Sequence, residues 1–504
     1  LANRDATSYI AVHRELRHRC TTTSPTLKRF FAASKQSMSN RFERLFEIGA
    51  AEVVPGRYRD AAPLWRVKPD LSYVLSLSVK RSAIIGQVLD MAYLPVGDSF
   101  EQPVPWQAGG ERETENRGDA LIKTLVEVAK GTLAKAEKES SKRPDPMNRD
   151  SQLSFRERIL GTAVALPTPV HRIRIREGDD VHWEMRSASR WIMPELREMP
   201  DGANLYELLR EALRDEDIPA DRLSLINDAS AAALGLVVDV RMDSEYRPPR
   251  DMVLLWLTEG VGGGIISGHR LITGSAGFAG ELGHLAVRPD GVLCRHCGVR
   301  GCLETIASSG ALERELRAAF DGTGFGNSYQ STGQMLVELA NGEIRPHPAY
   351  TEAMREAGWW AGIALAQLVN VLNPQLIVLM DQHDAPLSIH EIDKPAPVRD
   401  DQFQRSLEAA LRRNSLDPAY RHIQSHDGPR DLYGLQFGVH SSMPHGVNVT
   451  SDRASMLPMV GAAADLIDFF GDDFFKSSIE EGHGVTPQRT RGRAAKKVDL
   501  PMES

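Results

Sequence analysis

The stretch GELGHLAVRPDGVLCRHCGVRGCLE, residues 280–304, constrains this chain more than any other. It brings His284, Cys294, Cys297 and Cys302 to short spacing, with glycines between them that let the backbone fold back. One imidazole and three thiolates form a Cys3His tetrahedral set, which is the donor chemistry of zinc. All four coordination positions are then taken by protein, leaving none for a reacting water, so the expected Zn(2+) is structural. Incidental buried cysteines are the alternative, but three of the chain's 4 cysteines fall within this one loop. In a cytoplasmic protein such clustering points to metal and away from a disulfide framework.

Composition bounds what surrounds that loop. With 41% hydrophobic and 25% charged residues over 504 positions, a globular protein of two to four domains is expected. No apolar run is long enough to span a bilayer, which takes roughly 18 or more residues. Arg4, Asp5, Arg14, Glu15, Arg17 and Arg19 interrupt the first twenty positions, so no secretory signal is expected and the location is read as cytoplasmic. The net charge of −8 hides a split: residues 1–70 hold thirteen Lys/Arg against seven Asp/Glu, a balance of +6 that leaves −14 for the remainder. A basic head on an acidic body suits a chain whose one end meets an anionic partner.

Periodicity divides the chain. Residues 8–19 predict a first helix, TLKRFFAA after Pro25 a second, and Ser34 caps a third whose Met38, Phe42, Leu45 and Phe46 recur at helical spacing before Gly49. AEVV and LWRVK flank the turn-rich PGRYRDAAP and predict a two-stranded wing. Together these make a winged helix-turn-helix whose third helix is free to enter a major groove. From Tyr73 the period becomes two: YVLSLSV and AIIGQVLD predict a hairpin, a helix follows near 119–136, then a charged linker near 137–150. Strands ILGTAVAL, DMVLLWL and QLIVLM thereafter alternate with helical NLYELLREAL and TEAMREAGWWAGIALAQLVNVL, an α/β signature. No repeat of 20–50 residues is visible, and the basic end of the chain reads as a disordered tail.

The GELGH segment, followed by a Cys/Gly-rich block ending in Cys302-Leu303-Glu304, resembles the ROK family of repressors and sugar kinases. The resemblance runs from about Pro25 to about Phe470, weakest between 95 and 155 and between 385 and 450. It implies a two-lobed, actin-like (ribonuclease H-like) sugar-kinase fold. The family commonly has Cys-x-Cys where this chain has Cys294-Arg-His-Cys297, so His296 could compete as a ligand. The resemblance further implies a sugar site at Asn227, Asp228, Glu281, His284 and Glu304, with Asp228 at the catalytic-base position. A pyranose needs carboxylates and an amide converging on its vicinal hydroxyls from several loops.

The family's phosphate loops look altered. Ser78-Val79-Lys80-Arg81-Ser82 stands where Asp-x-Gly-Gly-Thr is expected, and Thr258-Glu259-Gly260-Val261-Gly262 where Gly-Thr-Gly-x-Gly is expected. Met380, Asp381 and Gln382 replace glycines on the adenosine side. Phosphoryl transfer is nearly all positioning and charge neutralisation, so no bound ATP and no enzyme activity are expected. The head segment SKQSMSNRFERLFEIGAAEV resembles the recognition segment of the family's repressors, implying DNA contacts from Lys35, Gln36, Asn40, Arg44, Arg57 and Arg59.

The sequence therefore predicts a winged-helix domain over 1–70, a first lobe over 71–245, a second lobe with the zinc site over 246–478, and a basic tail over 479–504. The expected function is a sugar-responsive transcriptional regulator acting on a double-stranded DNA operator. It is expected to work as a homo-oligomer, dimer or tetramer, without membrane contact. The alternatives are a sugar kinase with a vestigial head and a constitutive DNA-binding protein with a relic sugar site.

Overall fold

The computed structural model describes residues 11–16, 22–47, 49–54, 64–80, 82–104, 117–142, 154–177, 180–187, 204–242, 249–320, 348–381, 401–416, 434–438 and 456–470. In the head, helix α1 (11–16) precedes α2 (Ser24–Phe30) and α3 (Lys35–Glu47). Thr23 caps α2, accepting a hydrogen bond from Thr26 N, and Ser34 Oγ accepts from Ser37 N at 3.1 Å to open α3. The turn between them passes through Ala32 at φ 49°, and α3 ends where Gly49 takes φ 68°. Strands β2 (Ala51–Val54) and β3 (Leu64–Val67) pair antiparallel, and the short β1 (Thr22–Thr23) joins β3 on its other edge. Phe42 stacks on Trp65 with ring centroids 4.6 Å apart, locking α3 onto the wing.

The body holds two five-stranded sheets of one design. The first consists of β4 (Tyr73–Val79), β5 (Ala83–Asp90), β6 (Phe100–Pro103), β7 (Ile159–Leu166) and β10 (Leu223–Asn227), in the order β10-β7-β4-β5-β6. The second consists of β11 (Met252–Leu257), β12 (Val261–Ser267), β13 (Arg270–Leu271), β14 (Leu376–Asp381) and β15 (Gly434–Gly438), in the order β13-β12-β11-β14-β15. In each, an antiparallel meander of three strands is extended by two parallel strands. Helices make the parallel crossovers, as parallel pairing requires: α4 (Arg117–Ser140) and α5 (Leu205–Asp215) in the first lobe, the helices Pro348–Leu372 and Asp401–Asn414 in the second. A separate hairpin of β8 (Val170–Glu177) and β9 (Asp180–Ser187), not anticipated from the sequence, projects from the first lobe.

Two helices exchange between the lobes. Helix α6 (Asp228–Met242) leaves β10 and packs on β12, where the glycine run of VGGG makes room for it. A Cβ at Gly262 would lie 2.7 Å from Ala229 Cβ, and one at Gly264 2.4 Å from Ala233 Cβ. The helix over 456–470 returns to the first lobe, where Ser76 Oγ donates to Met459 O at 2.8 Å. Its Asp465 is buried and accepts from Arg172 Nη1 at 2.9 Å and from Ser224 Oγ at 2.7 Å, which ties hairpin, sheet and helix together.

The head does not hang from a loose tether. Val12, Leu16, Leu27, Phe42 and Val67 of the head share one continuous apolar cluster with Leu71, Val74, Leu89, Met91 and Leu160 of the body. Met91 N donates to Pro69 O at 2.9 Å, and Arg158 Nη1 donates to Asp70 O at 3.3 Å across the junction. Among the described residues no helix is long and apolar enough to cross a membrane. The tail over 479–504 lies outside the described residues.

Candidate functional site

Four segments converge where α6 meets the second sheet. At the end of β10, Asn227 Oδ1 accepts from Ser230 N at 2.9 Å, so its carbonyl caps α6. Asp228 opens that helix and accepts from Ala229 N at 2.7 Å, at the end where the helix dipole favours a negative charge. Glu281 and His284 sit on a tight 3-10 turn, Leu282–His284, with His284 N donating to Glu281 O at 3.1 Å. Glu304 opens the short helix Glu304–Ala307 directly after the cysteine-rich loop.

The carboxylates are close enough to set each other's protonation. Burial pushes Glu281 up to about 7, and the charges of Asp228 and Glu304 add to the rise. Burial also works on Glu304, but the His296 hydrogen bond and charge, His284, and the Val261 amide outweigh it and hold that carboxyl low. The result is one acid poised to carry a proton near neutrality beside one that stays ionised, so donor and acceptor are offered side by side. Burial holds the His284 imidazole below its ordinary value; Glu304 opposes this and His296 adds to it.

The donor atoms of His284, Cys294, Cys297 and Cys302 all lie within 4.8 Å of one another. Cys294 Sγ is 3.8 Å from His284 Nδ1, and Cys297 Sγ is 3.4 Å from Cys302 Sγ. These separations suit a tetrahedral ion, whose ligand–ligand edges follow from metal–donor distances of about 2.0–2.3 Å. Burial raises the Cys302 thiol far above its ordinary value, with Cys297 and Cys294 adding to it, and burial leads the rise of Cys294. A dication is what would let three crowded thiols deprotonate together, so the residues fit the group. Of the His284 ring nitrogens it is Nδ1 that faces the Cys294 thiol. His296, which could compete as a ligand, has Nδ1 2.6 Å from Glu304 Oε1, and Cys294, His296 and Glu304 form a second group of donor atoms close enough to hold a metal ion.

The two altered loops are hairpin turns. Ser78 is buried in β4, and Lys80 N closes the first turn on Ala83 O at 2.8 Å. Thr258 N donates to Gly260 O at 2.9 Å in the second, and Ser309 N docks that turn on helix Ser309–Phe320 by donating to Thr258 O. Arg81 and Gln382 lie outside the described residues.

On α3, Lys35, Gln36 and Asn40 are exposed and Arg44 is half-buried. Helical spacing puts Gln36 and Asn40 opposite the buried Met38, Phe42 and Leu45, and sets Lys35 to one side. Gln36 Nε2 donates to Asn40 Oδ1 at 2.8 Å, so these two amides form one presented unit. Two carboxylates that sequence reasoning passed over share the neighbourhood: Glu43 accepts from Ser39 Oγ at 3.0 Å, and Glu47 pairs with Arg44 at 3.4 Å. Arg57 and Arg59 lie outside the described residues.

Fold and site together define a two-lobed, actin-like sugar-kinase architecture carrying an N-terminal winged helix. Residues 218–391 match the family model described as the ROK family. It is 32% identical over 164 residues to a glucokinase of Halalkalibacterium halodurans, which covers 30% of this chain and 46% of that one. It is 39% identical over 108 residues to an N-acetylmannosamine kinase of Vibrio cholerae, 21% of this chain and 36% of that one. The chain thus spans less than half the length of these two curated relatives. A solved ROK family transcriptional regulator, a homologue of the E. coli MLC protein, matches 91% of this chain and 95% of its own at TM-score 0.58; at 17% identity this shows the fold.

These relatives correct the expectation that the chain is not an enzyme, because the proteins it matches are named as kinases. That expectation was drawn from residue identity in three loops, and identity alone does not show how their backbone N–H groups are arranged toward a phosphate. The ROK family domain supports either a regulator or a sugar kinase.

Proposed function

We propose that this protein is a cytoplasmic, sugar-responsive, DNA-binding transcriptional regulator of carbohydrate genes, most simply a repressor. The observation that carries the reading is the continuous apolar cluster joining the winged head to the body, because a ligand in the body can then bias the head. In this reading residues 1–70 bind a duplex operator, with Gln36 and Asn40 reading bases and Lys35, Arg44, Arg57 and Arg59 holding phosphates. Lobes over 71–245 and 246–478 enclose a sugar contacted by Asn227, Asp228, Glu281, His284 and Glu304. Zinc on His284, Cys294, Cys297 and Cys302 supplies a rigid loop, and two or more copies pair on a palindromic site.

Glu281, at about 7, can donate to a sugar oxygen while Glu304 accepts from a sugar hydroxyl. A sugar shifts DNA affinity only to the extent that it binds one head geometry better than the other. The second reading is sugar phosphorylation in the same cleft, favoured by Asp228 standing beside Glu281 at the start of α6. The test is enrichment of a bound sequence from random duplex DNA, then its titration with and without D-glucose or N-acetyl-D-mannosamine, with ATP consumption measured in parallel. Sequence-specific binding that a sugar shifts supports the regulator; no sequence preference overturns it.

A further inference from the structure

Glu304 is held from two sides. Its Oε2 accepts from Val261 N at 3.5 Å and lies 3.2 Å from where a Cβ on Gly260 would stand. Its Oε1 meets His296 Nδ1 at 2.6 Å, with the imidazole 24% and the carboxylate 17% exposed. The 2.6 Å separation is that of a hydrogen bond between imidazole and carboxylate. The ring is aimed by its own turn: Gly298 N donates to Cys294 O at 2.9 Å with Gly298 at φ 74°, and Cys294 N donates to Val299 O at 2.8 Å. The zinc ligands Cys294 and Cys297 bracket His296, so the turn that carries the ring is anchored at both ends. His296 also lies edge-on to His284, ring centroids 6.3 Å apart.

We propose that His296 is a positioning residue for the ligand cleft: through the His296–Glu304 hydrogen bond it fixes the carboxylate and makes ligand affinity depend on the zinc loop. This deepens, and rests on, the sugar-binding reading above. One Glu304 oxygen is committed to His296, so the carboxylate presents a single edge to a ligand hydroxyl. Partners that orient a binding group in this way are commonly worth about 10–100-fold in affinity.

The experiment uses the full zinc-loaded chain, with D-glucose and N-acetyl-D-mannosamine as titrants and zinc content measured by elemental analysis. His296→Ala is expected to weaken the bound sugar about tenfold or more while keeping its zinc. Asn offers an amide nitrogen at the Nδ1 position and Gln one at the Nε2 position. His296→Asn should therefore recover most of the loss and His296→Gln should not, a contrast that a merely structural role would not produce. Unchanged affinity in His296→Ala, equal behaviour of the Asn and Gln variants, or loss of zinc with the imidazole each overturn the proposal. If the wild type binds neither sugar, the sugar-binding reading itself fails and takes this inference with it, a result read from the first titration alone.

Discussion

Replacing Glu281 with Gln tests the electrostatics of the cleft without disturbing its shape. In the folded chain Glu281 sits at about 7 because of burial first, then Asp228 and Glu304, against 4.5 for an ordinary glutamate. The folded value is the higher one, so the folded state holds the proton more tightly. Its contribution is fully favourable below the unfolded value and is lost as pH rises through the folded one. At about 1.4 kcal/mol per pH unit, the wild type should be penalised relative to Glu281→Gln by roughly 1.4 kcal/mol at pH 5.5 and about 3 kcal/mol at pH 8.5. Denaturant unfolding of both proteins, zinc-loaded, at several pH values in that range reads the difference, and any pH dependence of the zinc site cancels between them. A variant that gains about 2 kcal/mol on the wild type between those pH values agrees with the argument. A difference that stays flat with pH refutes it, because Glu281 would then ionise as freely folded as unfolded.

The remaining expectations concern the metal, the head and the lobe contact. Elemental analysis should find one zinc per subunit, and Cys297→Ser should lower both metal content and folding yield, since structural zinc binding is commonly worth on the order of 10 kcal/mol. Asn40→Ala should cost roughly 1–3 kcal/mol on the preferred duplex and relax its sequence choice, whereas Arg44→Ala should weaken all duplexes alike and flatten the salt dependence in fluorescence titrations. Asp465→Ala leaves Arg172 half-buried without its carboxylate and should cost about 3–5 kcal/mol in chemical unfolding; near-neutral stability would show that the pair contributes little to holding the 456–470 helix on the first lobe.

Much of this molecule was legible in its residues because local rules govern those parts. Ser34 as a cap, Gly49 as a stop, the wing strands and the long helix now bounded by Pro348–Leu372 follow from capping chemistry and periodicity alone. So does the Cys3His cluster, because its ligands fall within about twenty residues and spacing is enough to bring them together. The tertiary structure decided the rest. The two lobes repeat one strand order with no visible sequence repeat, since a sheet constrains hydrophobic pattern and not residue identity. Gly262 was read only as the last position of an altered phosphate loop, yet Gly262 and Gly264 are required by the approach of α6, a contact between distant segments that spacing cannot reveal. His296 offered itself as an alternative metal ligand, and only the fold shows its ring beside Glu304, in a second donor group with Cys294. The protonation of Glu281 likewise depends on burial and on carboxylates from three separate stretches of chain, and such long-range electrostatics exist only once the chain has folded.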